Sequence, residues 1–283
     1  MSATAVIGAL FRKELRSFLG NPTGYVFLTL FIVASASAAF LTDSFFSRNL
    51  ADLATLNRWM PAILMFFVPA VTMGLWADER RSGTDELLLT LPVRDGEVVL
   101  GKFLGALGVY TVGLLFSLVN VAVLAYLGDP DAGLMFATYL GYWLMGALFV
   151  AVGMAGSMFT GNTTVAFILG ALGCAALVFA GTAPWASAIV GVVLLGALAA
   201  LMWSIVVGRG SGIGALIGAG VGLALWLGGF FPWFTEIFAA LGAPSHFESF
   251  GEGVLRLGDI LFFVGGTAVA LYLCTILISR RHW

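Results

Sequence analysis

Residues 79–92 read ERRSGTDELLLTLP, the most densely charged run in an otherwise apolar chain, and they separate two long hydrophobic stretches. Ser82 lies three residues before Asp85, which is the spacing of a capping box, and acidic residues in a first turn suit the helix dipole. Three leucines follow, and Pro92 ends the helix because proline has no N–H and clashes with the preceding turn. The pattern predicts a short amphipathic helix beside a membrane, and we interpret it as a docking helix.

The composition excludes an ordinary soluble domain. Of the 283 residues, 60% are hydrophobic and 10% are charged, whereas about a quarter of the residues of soluble domains are charged. Several stretches reach the roughly 20 apolar residues that cross a bilayer. The net charge of −2 and the lack of a basic arm predict no nucleic-acid partner. Cys174 and Cys274 fall within apolar stretches, and we interpret both as small buried residues.

Apolar periodicity predicts an all-α integral membrane protein, a polytopic bundle of eight transmembrane helices. Residues 5–20 place apolar and charged side chains on opposite faces, which predicts an interfacial helix. A cleaved signal peptide is the weaker alternative, because the basic residues lie unusually far into the chain. Residues 233–258 predict an extracytoplasmic interfacial segment with aromatic side chains at headgroup depth. The eight predicted spans are 22–42, 60–77, 98–127, 134–160, 163–182, 185–207, 211–231 and 259–279.

Glycine recurs at every fourth position in the seventh predicted span, at Gly210, Gly214, Gly218 and Gly222. Such a stripe lets a second helix approach closely, although membrane helices are rich in glycine in general. With eight spans and a cytoplasmic N-terminus, the C-terminus is also cytoplasmic. In that orientation only Arg48, Arg58 and Arg256 among the basic residues fall outside, so the docking stretch is predicted to face the cytoplasm.

Two motifs resemble one known family. Residues 79–93, followed by Gly101-Lys102-Phe103-Leu104, resemble the cytoplasmic coupling region of ABC-2 type permeases, and most closely the gliding-motility permease (GldF-like) family. Residues 245–250, with Gly253-Val254 and 259–261, resemble the segment before the last membrane helix of that family. The family plan has six spans, so the resemblance implies that residues 183–231 are an inserted helical hairpin in one permease domain, 1–283.

The resemblance implies a permease subunit of an ABC transporter in a bacterial cytoplasmic membrane. Two copies of a separate ATPase subunit would hold ATP and Mg, and this chain would bind no cofactor. A second permease copy, or a related membrane subunit with an extracytoplasmic domain, is the implied membrane partner. Leucines would seat the docking helix and charged residues would contact the ATPase; the residues concerned are Glu79, Arg80, Arg81, Ser82, Gly83, Thr84, Asp85, Glu86, Leu87, Leu88, Leu89 and Pro92. From the residues alone, a solvated loop is an equally good interpretation.

Other classes of function lack their motifs. The chain has no phosphate-binding loop, so it is not expected to hydrolyse ATP, and it has no serine-hydrolase or zinc-protease motif. His246, Glu248 and Glu252 do not share one helical face, so no metal site is predicted. An ion-coupled secondary transporter would need ionisable groups at the midplane, and the predicted spans carry almost none there. A structural subunit without transport stays open as the other alternative.

Overall fold

The computed structural model describes residues 3–41, 52–85, 93–182, 184–206, 211–227 and 236–279. Regular structure within these ranges is entirely α-helical, with no strand. A helix satisfies its own backbone hydrogen bonds, which is what a lipid environment demands. The helices are α1 (Ala3–Leu19), α2 (Pro22–Phe40), α3 (Ala54–Thr72), α4 (Gly74–Ser82), α5 (Asp95–Phe116), α6 (Val119–Leu127), α7 (Ala132–Ser157), α8 (Thr163–Phe179), α9 (Pro184–Val206), α10 (Ser211–Leu227), α11 (Ala243–Gly251) and α12 (Leu257–Ser279).

The chain forms two compact units, one of Met1–Cys174 with His246–Trp283 and the other of Ala175–Ser245. In the first unit α7 is the central helix and packs against α3, α5 and α12. Its glycines permit these contacts, because a Cβ added at Gly146 would overlap the ring of Tyr110, and one added at Gly153 would overlap Thr72. Small residues of this kind let membrane helices approach closely.

Hydrogen bonds between side chains and backbone fix the register of this core. The Tyr110 hydroxyl donates to the Tyr142 carbonyl oxygen at 2.7 Å, and the Tyr142 hydroxyl donates to the Asn57 side-chain oxygen. Tyr110 and Tyr142 are both fully buried, so each hydroxyl needs such a partner. These bonds join α3, α5 and α7 into one packed group.

Four continuous stretches are long and apolar enough to cross a membrane: Ala54–Ser82, Asp95–Leu127, Ala132–Ser157 and Leu257–Ser279. A fifth arises if α1 and residues Gly24–Phe40, which are bent by 76° from each other, are taken as one span. The all-α membrane fold is therefore confirmed, but eight full spans are not found among the described residues. Of the other predicted spans, 163–182 and 211–231 fall on α8 and α10, each of 17 residues, or roughly 25 Å at 1.5 Å per residue. Span 185–207 falls on α9, within which Trp185–Gly196 is the apolar stretch that the structure describes throughout.

In the second unit, α9 and α10 pack as an antiparallel pair. Gly214, Gly218 and Gly222 are buried on α10, and a Cβ added at Gly218 would lie 2.5 Å from the Cβ of Ala199. One added at Gly222 would lie 3.0 Å from the Cα of Val192. Gly210 lies outside the described residues. Whether 183–231 is an insertion into the family plan stays a prediction.

Candidate functional site

Four charged side chains meet where α1, α4 and α5 come together in the first unit. Lys13 and Glu14 belong to α1, Glu79 to α4 and Lys102 to α5. We call these four residues the charged cluster. The two lysines differ sharply, because the side chain of Lys102 is 0% exposed and that of Lys13 is 53% exposed.

Lys102 is the centre of the charged cluster. Its Nζ lies 2.8 Å from Glu79 Oε1 and 3.4 Å from Glu14 Oε1. It also donates to the Leu75 carbonyl oxygen at 2.6 Å and lies 4.7 Å from the centroid of a Trp76 ring. A buried ammonium group is costly unless opposite charges and hydrogen-bond acceptors surround it. Lys102 therefore fastens α4 to α5 through both a backbone oxygen and a carboxylate.

Glu79 is an internal residue of the first unit. It is 9% exposed, and its Oε1 accepts hydrogen bonds from Lys13 and pairs with Lys102. Its Oε2 has no hydrogen-bond partner among the residues that the structure describes. The sequence placed Glu79 with the charges that face a partner protein, whereas the structure turns its carboxylate toward α1 and α5. Helical spacing puts Glu79 three residues after Trp76, on the buried face of α4.

Close packing of α1 on α5 brings Glu14 to the charged cluster. A Cβ added at Gly101 would lie 2.8 Å from the Cβ of Leu10, and one added at Gly105 would lie 2.6 Å from the Cβ of Glu14. One added at Gly108 would lie 3.0 Å from the ring of Phe11. We call Gly101, Gly105 and Gly108 the α5 glycine face. This face was not predicted from the sequence, although glycines four and three residues apart are a helix-packing signal.

α4 ends at the position where the sequence predicted a helix to begin. Gly83 has φ 69° and closes α4 in the left-handed conformation. Ser82 is the last residue of α4, and its Oγ donates to the carbonyl oxygens of Asp78 and Glu79 at 2.8 and 3.1 Å. The prediction that Ser82 caps the start of a helix is therefore wrong. Thr84 and Asp85 return to helical backbone; Glu86, Leu87, Leu88, Leu89 and Pro92 lie outside the described residues.

The other predicted coupling residues form an accessible rim around the end of α4. Arg81, Ser82, Gly83 and Thr84 are exposed, and Arg80 and Asp85 are half-buried. The Thr84 hydroxyl donates to the Glu79 carbonyl oxygen at 3.3 Å, so the rim is tied back to α4. The turn after α7 lies alongside, since a Cβ added at Gly161 would be 3.7 Å from the Cβ of Arg80. One stretch of sequence thus supplies a buried carboxylate and an exposed charged surface.

A second polar group lies at the start of α12. Asp259 Oδ1 is 2.8 Å from His246 Nδ1, and Asp259 Oδ2 accepts from Ser249 Oγ at 2.6 Å. The His246 ring stacks on Phe262 at a centroid distance of 3.9 Å. Glu248 and Glu252 are exposed, and no group of three or more metal-ligating side chains occurs within the described ranges. This arrangement joins the end of α11 to α12.

Comparison with known families decides the class of the protein. The sequence matches the family described as ABC-2 family transporter protein over residues 10–208. The chain belongs to this family. A search of curated proteins finds no match. The ABC-2 match covers all four members of the charged cluster, and it includes the rim at the end of α4.

An ABC-2 protein is the membrane permease component of an ABC transporter and works with a separate ABC ATPase. The transport component is distinct from the ATPase itself. This ABC-2 protein carries apolar helices long enough to span a membrane several times, so it is a multi-pass membrane protein. The match ends before α10, α11 and α12, so Gly214, Gly218 and Gly222 lie outside it.

Proposed function

We propose that this permease couples ATP hydrolysis on a separate ATPase subunit to export, or to mechanical transmission, through the exposed end of α4. Arg80, Arg81 and Asp85 would contact the ATPase, and the segment 86–92 would seat in it. Two ATPase copies would each hold ATP and Mg. The observation that carries the proposal is the charged cluster, which ties the segment bearing this rim to two other helices.

The charged cluster would transmit a displacement of the end of α4 to α5 and α1. Lys102 donates a hydrogen bond to the Leu75 carbonyl oxygen and forms an ion pair with Glu79. These two contacts hold α4 against the first turns of α5. Glu14 and Lys13 add α1 to the same group. A push on the rim would therefore move three helices together, and α5, which begins the span Asp95–Leu127, packs on α7.

The proposal also includes the finer assignment suggested by the motifs: a GldF-like permease in a bacterial cytoplasmic membrane, with both termini inside. Arg80 and Arg81 on the rim and Lys13 in the charged cluster support that orientation, because basic residues favour the cytoplasmic side. A second permease copy, or a related membrane subunit with an extracytoplasmic domain, would complete the membrane part. None of these assignments requires that the complex serve motility.

The test is purification of the native complex with an affinity tag on this chain. We expect an ATPase subunit with a phosphate-binding loop to co-purify, and we expect Leu88→Glu to reduce its recovery at least about tenfold, because a charge in a seated apolar position is strongly disfavoured. Asp129→Lys is the control, since Asp129 is exposed beyond the opposite end of α5 and α6. Undiminished recovery and coupled ATP hydrolysis with Leu88→Glu would refute docking through this segment.

A further inference from the structure

A polar cleft of about 340 Å³ opens beside the charged cluster, between α1, α3, α4 and α5. Its polar wall includes Lys13, Glu14, Asp78 and Glu79. The side chains of Lys13 and Asp78 are 53% and 54% exposed, so a ligand in the cleft can reach both charges, although Asp78 Oδ1 also lies 3.6 Å from the guanidinium group of Arg81. Glu79 adds a buried carboxylate whose Oε2 lacks a hydrogen-bond partner within the described part of the chain.

An apolar groove of about 460 Å³ lies next to this cleft, between α2, α3 and α8. Phe27 and Ala70 line both spaces. From Phe27 the groove follows α2 to Ala34, a rise of roughly 10 Å at 1.5 Å per residue. Leu30 and Phe66, both 57% exposed, leave its side open to the surrounding lipid. Each space falls within the roughly 300–1,000 Å³ of typical ligand sites.

The two spaces have complementary chemistry. The polar cleft offers the Lys13 ammonium group to a negative charge and the carboxylates of Asp78 and Glu79 to a positive one. Only apolar and aromatic side chains line the groove. A single ligand that fills both must therefore carry two opposite charges close together at one end and a long apolar tail at the other.

We propose that the polar cleft and the apolar groove together bind one phospholipid whose headgroup carries a phosphate and a primary ammonium group. Lys13 holds the phosphate, and Asp78 with Glu79 Oε2 accepts the N–H groups of the ammonium. One acyl chain lies in the groove from Phe27 toward Ala34. The site does not depend on the ATPase coupling proposed above.

The headgroup chemistry discriminates among membrane lipids. A quaternary ammonium has no N–H to donate, so it cannot satisfy Glu79 Oε2. An anionic lipid without an ammonium brings no cationic donor to Asp78 or to Glu79 Oε2, and it adds a negative charge beside them. Charge-assisted hydrogen bonds are about twice as strong as neutral ones, so the primary ammonium is the preferred group.

The test is native mass spectrometry of the purified full chain in detergent, without ATPase, titrated separately with dioleoyl phosphatidylethanolamine, phosphatidylcholine, phosphatidylglycerol and diacylglycerol. We expect phosphatidylethanolamine to bind one equivalent at least about fivefold more tightly than the others. Asp78→Asn is expected to weaken that binding about fivefold, with Asp129→Asn as the charge control. Ala34→Trp is expected to block the groove, with Val33→Trp, on the exposed neighbouring position outside the groove, as its control.

Each outcome of this titration decides the proposal. Selective binding that falls with Asp78→Asn and Ala34→Trp, and not with the two controls, supports it. Equal binding of phosphatidylglycerol or diacylglycerol would overturn the headgroup assignment, and binding that survives Ala34→Trp would overturn the position of the tail. Failure of any lipid to bind would reject the site. Because the assay contains no ATPase, none of these results bears on docking at residues 86–92.

Discussion

Two helix contacts in this protein depend on glycine, and they differ in what surrounds the glycines. In the second unit α9 lies on Gly218 and Gly222 of α10, and neither helix carries a charged residue. In the first unit α1 lies on the α5 glycine face, and the same approach brings Glu14 to the buried Lys102. The contact between α9 and α10 depends on packing alone, whereas the contact between α1 and α5 also depends on charge. A change of charge can therefore alter how α1 and α4 sit on α5, but it leaves the hairpin untouched.

The largest expected effect comes from removing the buried cation. Lys102→Met keeps the approximate length of the side chain but removes the buried cation shared by Glu79 and Glu14, and breaking a buried ion pair in this way costs about 3–5 kcal/mol. Thermal unfolding of the full chain in detergent would measure the loss. The double variant Lys102→Met, Glu79→Gln should recover much of it, because neutral residues of similar size often replace buried ion pairs well. A double variant as unstable as Lys102→Met would show that Lys102 acts through packing rather than charge.

The second largest effect concerns the contact between α9 and α10, which two glycines of α10 can test as a matched pair. A Cβ at Gly218 would overlap the Leu195 carbonyl and approach Ala199, whereas nothing lies within 4 Å of a Cβ at Gly220. Gly218→Ala should therefore destabilise the protein by about 1–3 kcal/mol through overpacking. Gly220→Ala should stabilise it by about 0.5–1 kcal/mol, because alanine favours a helix interior over glycine. Opposite signs in thermal unfolding would support the packing face, and equal shifts would contradict it.

The third effect applies the same comparison to the α5 glycine face. Gly105→Ala would push on the Cβ of Glu14, 2.6 Å away, while Gly96 has open space. Because only Val6 and Leu10 of α1 are buried, we expect α1 to shift and relieve the overlap. The loss should be about 1 kcal/mol, at the low end of overpacking, with Gly96→Ala neutral or stabilising. Thermal unfolding measures both variants. A loss with Gly105→Ala that matches Gly218→Ala would indicate that α1 is as firmly packed as the hairpin.

Much of the fold could be predicted from composition and periodicity, since apolar stretches of bilayer length dictate helices. The charged stretch at 79–92 was predicted to separate two apolar helices; its residues 79–82 instead belong to α4, and residues 86–92 lie outside the described part of the chain. The sequence pattern Ser82-x-x-Asp85 resembles a capping box, yet Gly83 in the left-handed conformation ends α4 one residue later. Local spacing cannot distinguish a helix start from a helix stop when both signals overlap.

The charged cluster could not be predicted from spacing, because its members lie up to 89 positions apart, from Lys13 to Lys102, on three helices. Lys102 reads as an ordinary basic residue near the end of a span, and only the approach of α1 explains its burial. The glycines at 101, 105 and 108 were the available signal, but their spacing is less regular than the four-residue repeat in α10. Regular repeats are easier to see than the mixed spacing of three and four that helix packing also uses.

The smallest expected effect comes from the second lysine of the charged cluster. Lys13→Met removes a cation that pairs with the same Glu79 Oε1 as Lys102, but the Lys13 side chain is half exposed. Water and salt screen such a pair, so the loss in thermal unfolding should be about 0–1 kcal/mol. Raising the salt concentration should reduce the difference between this variant and the unaltered protein, while the effect of Lys102→Met should persist because buried pairs are screened much less. If Lys13→Met destabilised the chain as strongly as Lys102→Met, the carboxylate of Glu79 would depend equally on both cations. The distinction between the buried Lys102–Glu79 ion pair and the half-exposed Lys13–Glu79 ion pair would then be wrong.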